Sequence, residues 1–371
     1  MILKTDCIHF PGDRPCFANK QFGITCDKCD YYKPIDKKIL IIKFDAIGDV
    51  LRTTCILSSL KRQFQESHIT WLTKSNASDI FIGNQYVDEV LATENSNSLP
   101  RLLSQNFDLL LHPDASPISA SYAKIIPAKE KRGFTLDDKG KVVPINDEAI
   151  EWLEMGAFDQ FKKNNRKAYQ EIIHNLLKLE YRKDEIIVNL TDAEKKFRDN
   201  FYQINSLNRF RIIVGINTGG SRRWKYKKWR IDGFKELIKK LETFPDVGIM
   251  IFGGETEAEL MSELKSSSDK IIDTGNKNSL REFFALIDIA DIIITGDTLA
   301  LHIATALKKK VICLFGPTSS SEIEDYGRVI KIIPEMDCLV CYKQDCDFVP
   351  NCMEMITTDM IMKKLLPLII S

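Results

Sequence analysis

This sequence has no imbalance of charge: Lys plus Arg and Asp plus Glu are 52 each in 371 residues. No global field draws in nucleic acid or an anionic membrane, so local basic clusters must carry any anion binding. Long apolar runs are missing as well. No stretch approaches the roughly 20 residues of a membrane span. The opening Met1-Ile2-Leu3-Lys4-Thr5-Asp6 lacks the apolar core of a signal peptide. The expectation is a cytoplasmic chain with at most peripheral membrane contact and no nucleic-acid partner. No internal repeat of solenoid length is present. Also absent is the Gly-x-Gly-x-x-Gly fingerprint at the first strand-turn-helix, where a dinucleotide-binding domain would carry it.

What occupies that position is more informative. Ile39-Leu40-Ile41-Ile42-Lys43-Phe44 has the pattern of a buried strand, followed by Asp45-Ala46-Ile47-Gly48-Asp49, with a helix expected directly after Asp49. Two carboxylates would repel a phosphate, whereas an acid there is suited to taking a proton from a neutral substrate. An apolar content of 44% and a charged content of 28% are ordinary for a globular protein, and the length suits two domains.

From Lys38 the pattern alternates strand with helix, and it does so twice. Strands are expected at 39–44, 69–73, 88–92, 109–112 and 131–134, then at 212–216, 247–252, 270–273, 291–295 and 311–315. Helices are expected at 50–64, 99–105, 233–241, 256–264, 280–290 and 299–307, with a longer helical region at 148–179 and a C-terminal helix at 359–370. Thr191 with Glu194, and Ser279 with Glu282, have the form of capping boxes. The pattern predicts an α/β chain of two parallel-sheet domains facing one cleft. The divisions are a 1–37 extension, a 38–205 domain and a 206–371 domain.

Three further segments fall at strand ends. Asn217-Thr218-Gly219-Gly220-Ser221-Arg222-Arg223-Trp224-Lys225-Tyr226-Lys227-Lys228-Trp229 joins small hydrogen-bonding residues to five cations suited to a diphosphate. A solvated basic loop is the alternative. Gly296-Asp297-Thr298 runs into a helix whose first turn could hold phosphate oxygens, with His302 one turn on. A core histidine is the plainer reading of His302. Gly253-Gly254-Glu255-Thr256-Glu257 offers close backbone approach and an acid for ribose hydroxyls, or a simple turn.

Of the ten cysteines, Cys55 and Cys313 fit apolar core patterns. The rest form two sets, Cys7, Cys16, Cys26, Cys29 and Cys338, Cys341, Cys346, Cys352, each with a Cys-x-x-Cys half-site. Each set could hold one structural tetrahedral Zn or iron ion, and free surface thiols are the alternative.

Taken together, Ile47-Gly48-Asp49-Val50, Lys227-Lys228-Trp229, Asp297–Ala306, Leu314-Phe315-Gly316-Pro317-Thr318 and Tyr326-Gly327 resemble the ADP-heptose:lipopolysaccharide heptosyltransferases of glycosyltransferase family 9. The resemblance covers about residues 38–370. Cys338–Cys346 is similar to the Cys-rich tail of some members. Many members have Gly where this chain has Leu299, and the N-terminal cysteine set is absent from the lipopolysaccharide enzymes.

The resemblance implies a GT-B fold, with acceptor on the first domain and ADP-heptose on the second. It implies an inverting transfer with Asp49 as general base (Asp45 as fallback) and Lys227 as the cation on the donor diphosphate. Thr218, Gly219, Asp297, Thr298 and His302 would contact the donor, with Glu257, or alternatively Glu255, on the ribose. No catalytic metal is implied. The acceptor would be a lipopolysaccharide core or related glycan, lipid-linked or protein-borne, met at the inner face of the inner membrane. A protein O-heptosyltransferase, a nucleotide-sugar epimerase and a non-catalytic thiolate-metal module are the rival functions.

Overall fold

The computed structural model describes residues 2–220 and 225–370. Its first sheet comprises β1 (Lys37–Ile42), β2 (Ser67–Thr73), β3 (Glu89–Ala92), β4 (Phe107–His112), β5 (Ala128–Leu136) and β6 (Val142–Pro144), ordered β3-β2-β1-β4-β5-β6. Only the β5–β6 pair is antiparallel. The second comprises β7 (Ile212–Asn217), β8 (Val247–Phe252), β9 (Ile271–Asp273), β10 (Ile292–Gly296), β11 (Lys310–Leu314) and β12 (Val329–Ile332), ordered β12-β11-β10-β7-β8-β9 and wholly parallel. Both have the doubly wound order, in which the first and fourth strands are neighbours and ligands sit beyond their carboxyl ends.

The central strands are apolar on both faces because helices cover both. In β1, Ile39 and Ile41 join one buried cluster with Val50, Leu51 and Trp71, while Leu40 and Ile42 join another with Leu72 and Leu110. The period of two sends alternate side chains to opposite layers. Each such fully buried side chain contributes about 1.5–3 kcal/mol. The C-terminal helix Thr358–Ile370 packs Ile361, Met362, Leu365 and Ile369 under the second sheet. Cys55 and Cys313 are buried core residues.

Differences from the sequence reading have local causes. The helix expected at 50–64 is two helices, Ile47–Thr53 and Ile56–Gln63. At their junction the Thr54 hydroxyl donates to Leu51 O (2.7 Å) and accepts from Ile187 N–H (2.9 Å), so local side-chain bonding competes with helix continuation. The first helix begins before Asp49. The region 148–179 is broken into Ile150–Ala157, Asp159–Asn164 and Tyr169–Leu176, with Phe158 extended between the first two. Strands β6 and β12, three and four residues long, were not expected. Both capping boxes form, with Thr191 accepting from Glu194 N–H (3.4 Å) and Ser279 from Glu282 N–H (3.2 Å).

Residues 2–36 hold a short helix, Phe17–Phe22, and a backbone clasp in which Ile8 N–H donates to Lys33 O and Ile35 N–H to Asp6 O, both 2.8 Å. Cys7 and Ala18 are the buried side chains among them. Among the described residues no helix is long and apolar enough to cross a membrane.

Candidate active site

The carboxyl ends of the two sheets line one cleft of about 1010 Å³. From the first sheet come Asp45–Asp49, Arg52 and Asp114, and from the second Asn217, Gly219, Lys227, Gly253, Glu257, Asp297, Thr298 and His302.

Asp49 occupies the first turn of the helix Ile47–Thr53. There it accepts from Ala46 N–H (3.1 Å) and pairs with the Arg52 guanidinium (2.8 Å), with its side chain 35% exposed to the cleft. Burial works to raise this carboxyl, but Arg52, then Lys43 and His302, outweigh it and bring it down to about 2. Arg52 stacks over the Tyr169 ring (3.6 Å), whose hydroxyl is bonded to Thr53 (2.7 Å). Lys43, just past β1, is buried in an ion pair with Asp114, just past β4, and donates to Asp45 O (2.7 Å). Phe44 N–H donates to the other Asp114 oxygen (3.1 Å). These bonds fix the loop path. The fallback acid Asp45 is more exposed, at 56%, and pairs with Lys74 (2.6 Å).

Across the cleft, Asn217 Nδ2 at the end of β7 donates to Thr295 Oγ1 (3.0 Å) and Thr298 Oγ1 (3.2 Å). Thr298 precedes the helix Leu299–Ala306 and makes no side-chain cap, and Leu299 and Ala300 line the cleft. An unclosed helix start of this kind suits an anion. Lys227 Nζ pairs with Asp297 Oδ2 (3.0 Å). Burial raises the Asp297 carboxyl, yet Lys227 and His302 prevail and lower it.

His302 is 7% exposed but faces the site rather than the core. A Cβ placed on Gly48 would lie 3.1 Å from its ring. Burial, reinforced by Arg52, lowers the imidazole to about 4, so it is neutral near pH 7.

Glu257 is buried, taking Lys228 Nζ (2.6 Å) and Thr256 Oγ1 (2.7 Å) on one oxygen and Gly254 N–H (3.1 Å) on the other. Glu255 is exposed and lies off the cleft, which decides between them for this wall. Thr218 differs from expectation. Its hydroxyl donates to Phe252 O (2.9 Å) and it sits behind the wall, not on it. The expected cations Arg222 and Arg223, with Ser221 and Trp224, lie outside the described residues.

Sequence reasoning missed Arg52, Asp114, Glu322 and Tyr342, all on this cleft. Arg52 could have been found three residues after Asp49 on the same helical face, and Asp114 by its place after a central strand. Glu322 and Tyr342 come from loops with no local signal.

The eight other cysteines lie away from the cleft. Cys7, Cys16, Cys26 and Cys29 line a separate cavity of about 610 Å³. Burial raises the Cys352 thiol to about 11, and the charges of Cys341, Cys338 and Cys346 add to this, so the second set is gathered in one neighbourhood. Among the described residues, however, no group of three or more His, Cys, Asp or Glu side chains is set to hold one metal ion. The tetrahedral metal sites expected from sequence are not shown by this arrangement.

The sequence model of Glycosyltransferase family 9 (heptosyltransferase) matches residues 98–350. Lipooligosaccharide heptosyltransferase 2 of Campylobacter jejuni is 26% identical over 193 residues, 50% of this chain and 60% of that protein. The chain thus spans about 60% of the length of that curated relative. A glycosyl transferase family 9 structure from Veillonella parvula superposes with a TM-score of 0.72 at 16% identity, covering 91% of this chain and 98% of that one. ADP-heptose lps heptosyltransferase II of E. coli gives 0.64 at 17%, covering 90% and 98%. The two sheets and their cleft are those of the GT-B fold.

Proposed function

The chain belongs to glycosyltransferase family 9, and on that premise we propose that it transfers heptose from ADP-heptose to a hydroxyl of a glycan acceptor with inversion. The observation carrying this reading is that Asp49 and the Lys227–Asp297–Thr298 cradle line a single cleft from opposite sheets.

The acceptor oxygen attacks the anomeric carbon from the Asp49 side while the bond to ADP breaks on the other. The electron pair of that bond leaves on the β-phosphate oxygen, and the hydroxyl proton passes to Asp49. A carboxylate near 2 is a weak base towards a free hydroxyl. It suffices once the oxygen has begun to bond to carbon and become far more acidic, so transfer is late. Lys227, the Thr298 hydroxyl and the start of the helix at Leu299 take up the charge of the departing diphosphate. The side chain of Glu257 faces the ribose. Chemistry of this kind would place the protein at the cytoplasmic face of the membrane that carries its acceptor.

Incubation with ADP-heptose and a heptose-deficient glycan acceptor should release ADP only when the acceptor is present. ADP release without acceptor, or a recovered epimer, would point to epimerase chemistry. No nucleotide binding at all would favour a module without catalysis.

We further propose that the two thiol sets bind a thiophilic metal, Zn or iron, as structural staples. Support comes from the extension itself, which has almost no buried apolar side chains yet turns four thiols to one cavity. Segments below about 40 residues usually need such a staple. Metal analysis of the purified chain should find at least one equivalent, and less than a tenth would end the idea.

A further inference from the structure

The mechanism above leaves Glu322, a buried acid of the cleft, without a task. Glu322 is 8% exposed, follows β11 in the loop Phe315–Ile323, and lines the same cavity as Asp49 and Asp297. Its Oε1 accepts from the Tyr342 hydroxyl (3.2 Å), which in turn accepts from Ser319 N–H (3.2 Å). Its backbone carbonyl accepts from Tyr169 N–H (2.9 Å), tying the loop to the opposite half of the molecule beside Arg52.

Tyr342 arrives from the Cys-rich segment, and its placement is costly. Tyr342 has φ 49° and Val340 has φ 59°, left-handed conformations that non-glycine residues avoid, β-branched ones most of all. Val340 N–H donates to Gly316 O (3.3 Å), Tyr342 N–H donates to Pro317 O (2.9 Å), and Lys162 from the first half lies over the Tyr342 ring (4.2 Å). Strain held in place from several sides is characteristic of binding sites.

Position indicates the ligand. The charges acting on Glu322 include Arg52, which holds Asp49, and Asp297, which holds Lys227. It lines the same cleft as Asp49 and Arg52 of the first sheet and Lys227 and Asp297 of the second, so it can reach a group held between those two walls, where the transferred sugar belongs. A carboxyl there, flanked by a phenol, suits a neutral group rich in hydroxyls.

We propose that Glu322 and Tyr342 form the hydroxyl-binding subsite for the sugar of the donor, with Glu322 accepting sugar hydroxyls and Tyr342 orienting it. This rests on the nucleotide-sugar reading above. It adds that sugar recognition is built in part by the Cys-rich segment.

The test is calorimetric titration of the full-length chain with ADP and with ADP-heptose. Glu322→Ala should weaken ADP-heptose binding roughly tenfold to a hundredfold while ADP binding stays within twofold. Tyr342→Phe should weaken ADP-heptose several-fold in the same selective way. Glu322→Gln, which keeps shape and one acceptor, should fall between Glu322→Ala and wild type and serves as the folded control if alanine unfolds the loop. Equal weakening of ADP and ADP-heptose, or no change in either, would overturn the subsite. A wild-type chain that binds neither would instead overturn the donor reading beneath it.

Discussion

Each half of this molecule pairs a lysine after its first strand with an aspartate after its fourth: Lys43 with Asp114, and Lys227 with Asp297. The strand orders are the same and each aspartate lies just past its fourth strand, but Lys43 directly follows β1 whereas Lys227 comes ten residues after β7. Their surroundings differ. Lys43 is buried behind the cleft wall, with its ammonium also bonded to Asp45 O. Lys227 lies on the wall itself. The first pair stiffens the loop that carries Asp49, whereas the second lines the cleft itself. Topology fixes where the aspartate falls, and the loop that brings the lysine decides whether the pair is turned inward or left on the cleft wall.

The sharpest way to break the comparison is to delete each lysine. Lys43→Ala leaves the half-buried Asp114 with only its bond from Phe44 N–H and should cost about 1–3 kcal/mol of stability, read by denaturant unfolding. If it unfolds no more easily than wild type, the structural half of the contrast is wrong. Asp49→Asn keeps the fold and should lose about 10²–10⁴-fold in turnover with ADP binding intact, and wild-type turnover would remove Asp49 from its role. Lys227→Ala should leave folding nearly unchanged but weaken ADP roughly tenfold to a hundredfold, as expected for a charge-assisted bond. Unchanged ADP affinity would mean that this lysine, like Lys43, is committed to its aspartate.

Much of this contrast was legible in the chain. Short continuous apolar runs marked ten of the twelve strands to within three residues at either end, because burial on both faces leaves a continuous apolar signature. Asp49, Lys227, Asp297 and Thr298 could be found because ligands in such sheets meet strand ends. The rest depended on distance in sequence. Glu322 meets Tyr342 across 20 residues and Tyr169 across 153, and no local period encodes either contact. Thr218 misled because a hydroxyl beside a glycine turn looks equally free whether it faces ligand or sheet. The helix break at Thr54 needed its bond to Ile187, from a segment far along the chain.

Arg52 offers a finer probe of the acidic lip. Its removal as Arg52→Met keeps the methylenes over Tyr169 but takes away the strongest of the influences lowering Asp49. In wild type the acid limb of kcat/KM set by Asp49 lies near 2, below any working range. In the variant it should climb by about 1–3 units. Stability follows the same sign. A depressed carboxyl stabilises fully above its ordinary value near 3.8 and loses that contribution as pH falls towards about 2. Wild type should therefore weaken across that window, and the variant less so. Matching acid limbs in both would show that Arg52 does not set the charge state of Asp49.

The smallest effect expected concerns the line where the two halves touch. Gly48 has ordinary backbone angles, so alanine there brings no conformational strain. What it meets is the His302 ring at 3.1 Å, and the ring must give by a few tenths of an ångström. The neutral His302 ring is held by packing, with no side-chain hydrogen bond among the described residues to anchor it. The ring should yield, at about 1 kcal/mol or less of stability. Because His302 shares its helix with Thr298 at the cap, the shift should widen the gap between base and cradle slightly. Turnover should fall several-fold with ADP affinity unchanged. A Gly48→Ala variant as active as wild type would show that the closeness of the two lips at this point is incidental to the chemistry. A loss as large as that of Asp49→Asn would show that the loop cannot tolerate any displacement, and that the Lys43–Asp114 brace is there to prevent it.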